Sequence, residues 1–279
     1  MPDLSEHRGQ LDGRPVFWRS APSVRGEGPA PNAAVPLYLH GVPDSSELWV
    51  EFLARSGGIA PDLPGFGSSG KPGSLTYTIE EYADFLDRFL ELVGVERVSM
   101  VVHDWGAVGL AYAQRRPERI ERLVVMNAVP LLPGYRWHRT ARIWRTPLLG
   151  ELAMGTTNRF TLSLISRESN ATPGPMPESW RESVLAYFDQ GTQRAILRLY
   201  RSSPPEKLAA AGAGLAALEV PSLVLWGTRD PYIPARFAQA YVDVLGARLV
   251  ELPDAGHWSW LDRPDAIDSV VEFLGEAPG

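Results

Sequence analysis

Residues 97–109, RVSMVVHDWGAVG, decide how the rest of the chain is read. Val98, Met100, Val101 and Val102 form a nearly continuous apolar run, the pattern of a strand buried on both faces of a parallel sheet. The run stops at His103-Asp104-Trp105-Gly106. Small residues follow (Gly106, Ala107, Gly109, Ala111, Ala113) in a helix-like segment whose backbone can approach the sheet closely. A carboxylate ending a core strand, with glycine two residues on, is costly unless it has a use. Asp104 could cap the following helix, or be a side chain held out over the sheet edge on a strained strand–turn–helix junction.

The flanking sequence supplies the rhythm of an α/β protein. Residues 15–20 (PVFWRS) read as an opening strand, followed by a Pro/Gly-rich loop through Asn32. Residues 35–40 (VPLYLH) form a second apolar run that ends on His40-Gly41-Val42-Pro43, and residues 45–55 have helical spacing. A short strand over 58–62 runs into the chain-reversal signal Pro64-Gly65-Phe66-Gly67. Residues 78–93 give the clearest helix: Thr78 and Glu81 form a capping box, Tyr82, Phe85, Leu86, Phe89, Leu90 and Val93 make the buried stripe, and Gly94 closes it. Further strands are predicted over 122–126, 221–226 and 247–252, and a last helix over 265–274. This alternation indicates a mostly parallel, doubly wound sheet. From residue 131 to 211 helical patterns rich in aromatics run without a strand. The expected organisation is therefore a discontinuous core, 1–130 and 212–279, interrupted by a helical cap, 131–211.

Composition narrows the function. The chain has 279 residues, a net charge of -6 and no cysteine. An acidic chain is a poor partner for nucleic acid or an anionic membrane. Without cysteine, thiol chemistry, disulfides and thiolate metal sites are excluded. The polar, acidic amino terminus is no secretory signal and no stretch reaches membrane-spanning length, so the expected location is the cytoplasm.

Three strand ends carry chemistry. Besides Asp104, residues 222–227 lead into Thr228-Arg229-Asp230-Pro231, and Leu252 leads to Gly256-His257-Trp258. In open parallel sheets ligands bind at the carboxyl ends of strands. The chain order Asp104, Asp230, His257 is nucleophile, acid, base. Taken singly, Asp230 could open a turn and His257 could be a loop histidine; together they read as a triad. A carboxylate attacks an electrophilic sp3 carbon to give an alkyl ester, and a histidine held by Asp230 would activate the water that hydrolyses it.

Val102-His103-Asp104-Trp105-Gly106 resembles the nucleophile elbow of α/β-hydrolases that use aspartate, namely epoxide hydrolases and haloalkane dehalogenases. The likeness extends over nearly the whole chain from Pro15. It implies the α/β-hydrolase fold, a cofactor-independent and metal-free enzyme, and an oxyanion hole built from the backbone N–H groups of Trp105 and, through the His-Gly-X-Pro loop, Val42. His40 and His103 are read as bracing residues. Leu199-Tyr200-Arg201 resembles the segment carrying a ring-opening tyrosine in epoxide hydrolases, which implies Tyr200 as proton donor; His138, beside Trp137, falls where a second ring-opening group sits. Buried cap packing is the plainer reading of both. Val42 stands where one dehalogenase subgroup has a halide-binding Asn, and valine has no donor. The subgroup with a cap Trp remains open, with Trp105 paired to Trp137 or Trp144. Val102 departs from the epoxide hydrolase pattern, which usually has glycine there, and valine at that position is more dehalogenase-like. Asn127 sits where some dehalogenases place the triad acid, and as Asn it cannot be one, so Asp230 keeps that role. The pocket is expected to be lined by Trp105, Trp137, Trp144 and Trp258 and to take a small apolar or aryl-bearing epoxide, with a haloalkane as the alternative. A non-catalytic ligand-binding protein is the third reading.

Overall fold

The computed structural model describes residues 4–22, 34–171 and 174–276. The predicted Pro/Gly-rich loop falls for its greater part outside them. In chain order the first half contains β1 (Ser5–Leu11), β2 (Arg14–Ala21), β3 (Val35–Leu39), α1 (Val50–Ser56), β4 (Gly58–Pro61), α2 (Ile79–Leu92), β5 (Val98–Asp104), α3 (Val108–Arg115) and β6 (Ile120–Ala128). Helices α4 (Arg139–Arg145), α5 (Leu149–Gly155), α6 (Arg159–Ile165), α7 (Glu178–Tyr187), α8 (Gln190–Ser202) and α9 (Pro205–Ala211) follow. The chain then returns to the sheet through β7 (Ser222–Gly227), α10 (Arg236–Leu245) and β8 (Arg248–Leu252), and ends with α11 (Ser259–Asp262) and α12 (Asp265–Gly275).

The eight strands form one sheet in the order β1-β2-β4-β3-β5-β6-β7-β8. Every pairing from β4 to β8 is parallel, and only β1 with β2 and β2 with β4 run antiparallel. All seven residues of β5 are buried, as its unbroken apolar run requires. Its side chains alternate between two cores. Met100 and Val102 join Leu37, Leu39, Leu123 and Val125 beneath the stripes of α2, α3 and α10, whereas Val101 joins Tyr38, Val124 and Met126 beneath α1 and α12. Each such aliphatic side chain contributes roughly 1.5–3 kcal/mol by burial, so this two-sided layering holds the central strands rigid. The predicted capping box of α2 is present, with the Thr78 hydroxyl accepting from the Glu81 N–H and the Glu81 carboxylate accepting from the Thr78 N–H.

β1 was not expected. Its polar sequence SEHRGQL lies exposed or half-exposed along its whole length at the sheet edge, so it shows no apolar periodicity. Between β6 and β7 no strand occurs among the described residues, and α4–α9 form the inserted helical cap. Among the described residues no helix is long and apolar enough to cross a membrane.

Strand order reverses direction at β3, which has β4 on one side and β5 on the other. The carboxyl ends of β3 and β5 therefore flank the crevice where connections diverge, the place where open parallel sheets bind ligands.

Candidate active site

Asp104 is the last residue of β5 and has φ 49° and ψ -121°. A non-glycine residue in that region is strained. The following turn, Trp105–Ala107, is a single 3-10 turn leading into α3, and Asp104 makes no capping hydrogen bond to it. Capping therefore does not explain this residue. The bend brings backbones close: a Cβ at Gly106 would lie 2.1 Å from the Leu39 carbonyl oxygen, and one at Gly41 would lie 2.3 Å from Asp104 Oδ1. Glycine at both positions lets the β3 loop and the elbow touch.

That contact has a chemical result. The Val42 N–H donates to Asp104 Oδ1 at 2.8 Å. On the other side, His257 Nε2 lies 3.6 Å from Asp104 Oδ2, an ionic contact longer than a hydrogen bond. The two carboxylate oxygens thus have different surroundings, one fixed by an amide and one facing the imidazole. His257 Nδ1 is 2.7 Å from Asp230 Oδ2, which assigns Nδ1–H as donor and leaves Nε2 turned toward Asp104. Asp230 Oδ1 accepts from the N–H groups of Tyr232 (2.7 Å) and Ile233 (3.0 Å), so it opens the turn and orients the imidazole at once.

Burial opposes charge on His257. The negative charges and hydrogen bonds of Asp230 and Asp104 outweigh it and raise the imidazole to about 10. Burial likewise acts against the Asp104 carboxylate, and His257, His103 and the Val42 amide more than offset it, holding Asp104 below the ordinary carboxylate range. The site is a buried ion pair, stable as carboxylate and imidazolium.

The other sequence-predicted residues fall into two groups. A cavity of about 320 Å³ is lined by Asp104, His257, Val42, Tyr200, His138, Trp137, Trp144 and Trp258, so the cap residues and the strand-end residues share one space. Trp105 lies behind this wall instead of on it, its indole stacked on Trp137 (centroids 5.5 Å apart) and against the edge of Tyr200 (5.1 Å). Its Nε1–H is buried without a hydrogen-bond partner, and the Tyr200 hydroxyl is its polar neighbour. Burial pushes the Tyr200 phenol well up, and the Asp104 charge adds to this, so the hydroxyl stays protonated. Trp137, an expected halide donor, has its N–H engaged by the Ser203 carbonyl at 3.1 Å. His138 is the N-cap of α4, where its Nδ1 accepts from the Ala141 N–H at 3.4 Å. Burial lowers it to about 4, so it is a neutral ring whose Nε2 carries the hydrogen. His40 braces its loop as expected, whereas His103 bonds to the histidine-bearing loop and not within the elbow. His40 Nδ1 donates to the Gly41 carbonyl and its Nε2 accepts from the Leu63 N–H; His103 Nε2 donates to the His257 carbonyl.

The roles of three residues went unrecognised in the sequence. Asn127, at the end of β6, donates to Asp230 Oδ2 at 2.8 Å and exchanges hydrogen bonds with the Gly227 backbone; it braces the Asp230 carboxylate. Tyr135 is a second buried tyrosine on the cavity wall. Asp44 is buried directly behind the wall, bonded to two tryptophans. Only the strand-end position of Asn127 carried a signal.

A family model for the alpha/beta hydrolase fold matches residues 37–264, an interval containing both carboxylates, the histidine and the cap. The chain belongs to the alpha/beta hydrolase family. Within it the chain sides with the aspartate-nucleophile group and is a hydrolase. A haloalkane dehalogenase of Bradyrhizobium diazoefficiens is 31% identical over 87% of this chain and 87% of its own. Epoxide hydrolase 3 of Mus musculus is 27% identical over 89% of this chain and 72% of its own. Among solved structures, the haloalkane dehalogenase DbeA from Bradyrhizobium elkani superimposes with a TM-score of 0.83 at 28% identity, covering 98% of both chains.

Proposed function

We propose that this hydrolase opens an epoxide to a vicinal diol through an alkyl ester on Asp104. Asp104 Oδ2 attacks a ring carbon while the ring C–O bond breaks, and the Tyr200 hydroxyl gives its proton to the departing oxygen. Val42 N–H, already on Oδ1, and the backbone N–H of Trp105 would stabilise the oxyanion formed on that oxygen when water attacks the ester carbonyl. Esterification removes one of the two negative charges that hold the proton on His257. Its proton affinity then falls, its proton passes to the Tyr200 phenolate left by ring opening, and the neutral Nε2 takes a proton from the attacking water. As the acyl C–O bond breaks, the hydroxyl proton of the tetrahedral intermediate passes to the departing alkoxide, which releases the diol and restores the Asp104 carboxylate and the His257 imidazolium.

One observation carries the choice of leaving group. A phenol shares the nucleophile's cavity, whereas the paired N–H donors that a departing halide needs are not assembled: Val42 has no side-chain donor and the Trp137 N–H is held by Ser203. The relative from Shewanella oneidensis, a cis-3-alkyl-4-alkyloxetan-2-one decarboxylase 31% identical over 78% of this chain, is named for a strained oxygen ring as well. The second reading, dehalogenation, is favoured by the unpartnered Trp105 Nε1–H and the dehalogenase relatives; Trp144 would be its other donor. The cavity, walled by aromatic side chains, suits a small apolar or aryl-bearing substrate. The test is a panel of aryl and alkyl epoxides and matching bromoalkanes. Diol from the epoxides at rates exceeding bromide release supports the proposal; bromide release with no diol from any epoxide overturns it in favour of dehalogenation.

A further inference from the structure

Asp44 is 5% exposed, and among the described residues no lysine or arginine pairs with it. A buried carboxylate without a cation is expensive unless hydrogen bonds hold it. Burial lifts its carboxyl to about 7, against the two indole donors that favour the charged form. Those donors come from different parts of the molecule. Trp180 Nε1, on cap helix α7, donates to Oδ1 at 2.7 Å, and Trp258 Nε1, one residue after the histidine base, donates to Oδ2 at 3.0 Å. The two indoles meet edge to face with centroids 5.0 Å apart, and both line the cavity. Trp258 also stands against the His257 ring at 4.7 Å and 89°. Asp44 itself is anchored to the loop that supplies the Val42 N–H, its own N–H donating to the Gly41 carbonyl at 3.1 Å.

We propose that Asp44 is a positioning residue, a two-armed clamp whose carboxylate fixes the cap wall through Trp180 and the base-bearing loop through Trp258, and so ties substrate enclosure to the setting of His257. Because each oxygen serves one indole, the arms are separable. The Trp180 arm sets the wall and therefore apparent affinity. The Trp258 arm sets the imidazole and therefore ester hydrolysis. Asparagine at position 44 keeps the shape but removes the charge and turns one acceptor into a donor facing an N–H, so it loosens at least one arm and weakens the other. The kinetic consequence rests on the ester mechanism above; the clamp does not.

The test is amide hydrogen exchange on the full-length chain without ligand, followed by styrene oxide kinetics. In Asp44→Asn, exchange should rise about tenfold or more in peptides covering 178–187 and 256–262, while β5 and β7 keep wild-type rates. Trp180→Phe should raise only the first segment and Trp258→Phe only the second. Adding Asp44→Asn to the Trp180→Phe/Trp258→Phe pair should raise exchange in neither segment further, since the acceptor then has no donors to hold. With styrene oxide, Trp180→Phe is expected to raise KM with kcat within about twofold, and Trp258→Phe to make the ester accumulate. Unchanged exchange in both segments of Asp44→Asn, an even rise across the chain, or full additivity on the double background would each refute the clamp. If no ester forms with styrene oxide, the proposed function fails while the exchange pattern still judges the clamp.

Discussion

The carboxyl edge of the sheet and the cap that covers it are built to different standards. At the edge, Asp104 and Asp230 sit at or just beyond strand ends with their carboxylates hydrogen-bonded or ion-paired, and the strained backbone at Asp104 is held between β3 and β6. In the cap, α4, α5, α6 and α9 are seven residues each. Large apolar side chains stand in water there: Leu148, Leu152 and Phe160 are 82%, 64% and 76% exposed. Short helices gain little from their own backbone hydrogen bonds, so the cap depends on a few anchors, such as the Trp137–Ser203 bond and the contacts of Trp180. The difference teaches a division of labour. On the proposed function, the sheet edge carries the reaction and the cap selects what is brought to it.

The sharpest way to break that division is to remove the proposed nucleophile. Asp104→Ala should lower turnover of any substrate by about 10⁴-fold or more without unfolding the chain, because β5 keeps its pairing with both neighbouring strands; activity within tenfold of wild type would move the chemistry elsewhere. Next comes the cap residue proposed as the proton donor. Tyr200→Phe should slow epoxide opening about 10²–10⁴-fold and leave bromide release from an alkyl bromide within about threefold. Equal losses with both substrates would make Tyr200 a packing residue.

The pH dependence of stability sharpens the core side. His257 is raised from its ordinary 6.5 to about 10, so its pairing contributes fully below pH 6.5 and is lost as pH climbs through 10. The Tm advantage of the wild type over His257→Gln should therefore be largest below pH 6.5 and shrink toward pH 10; an advantage that grows with pH would mean the imidazole is neutral in the fold. The smallest effects belong to the cap surface. Leu152→Ser should change stability by less than about 0.5 kcal/mol, while Val102→Ala, emptying space in the central strand, should cost about 2 kcal/mol, both read by urea denaturation.

What the sequence made legible follows the same line. The central strands announce themselves by apolar runs because both faces are covered, and α2 by a stripe and a capping box. β1 is silent because an edge strand with polar, exposed side chains has no reason to alternate. At the site, Asp104, Asp230 and His257 were readable because strand ends are readable. Asn127 was visible only as an acid that could not be one; its service to Asp230 depends on a hydrogen bond across two strands, which spacing does not encode. The cap is harder still. Trp105, Trp137 and Trp144 look alike in sequence, yet one lies behind the wall, one has its N–H held by Ser203, and one stands edge-on to Tyr200. Which way an indole N–H points is decided by tertiary packing alone. Asp44 carried no sequence signal for the same reason, since its partners lie 136 and 214 residues away.

The central claim is that Asp104 bonds to carbon and is freed by water attacking its own carbonyl. A single turnover with enzyme in excess over styrene oxide, run in ¹⁸O-enriched water and followed by digestion and mass spectrometry, tests it directly. The account predicts label in the peptide carrying Asp104 and an unlabelled diol from that first turnover. Label in the diol with none in the peptide would show that water attacks the substrate itself.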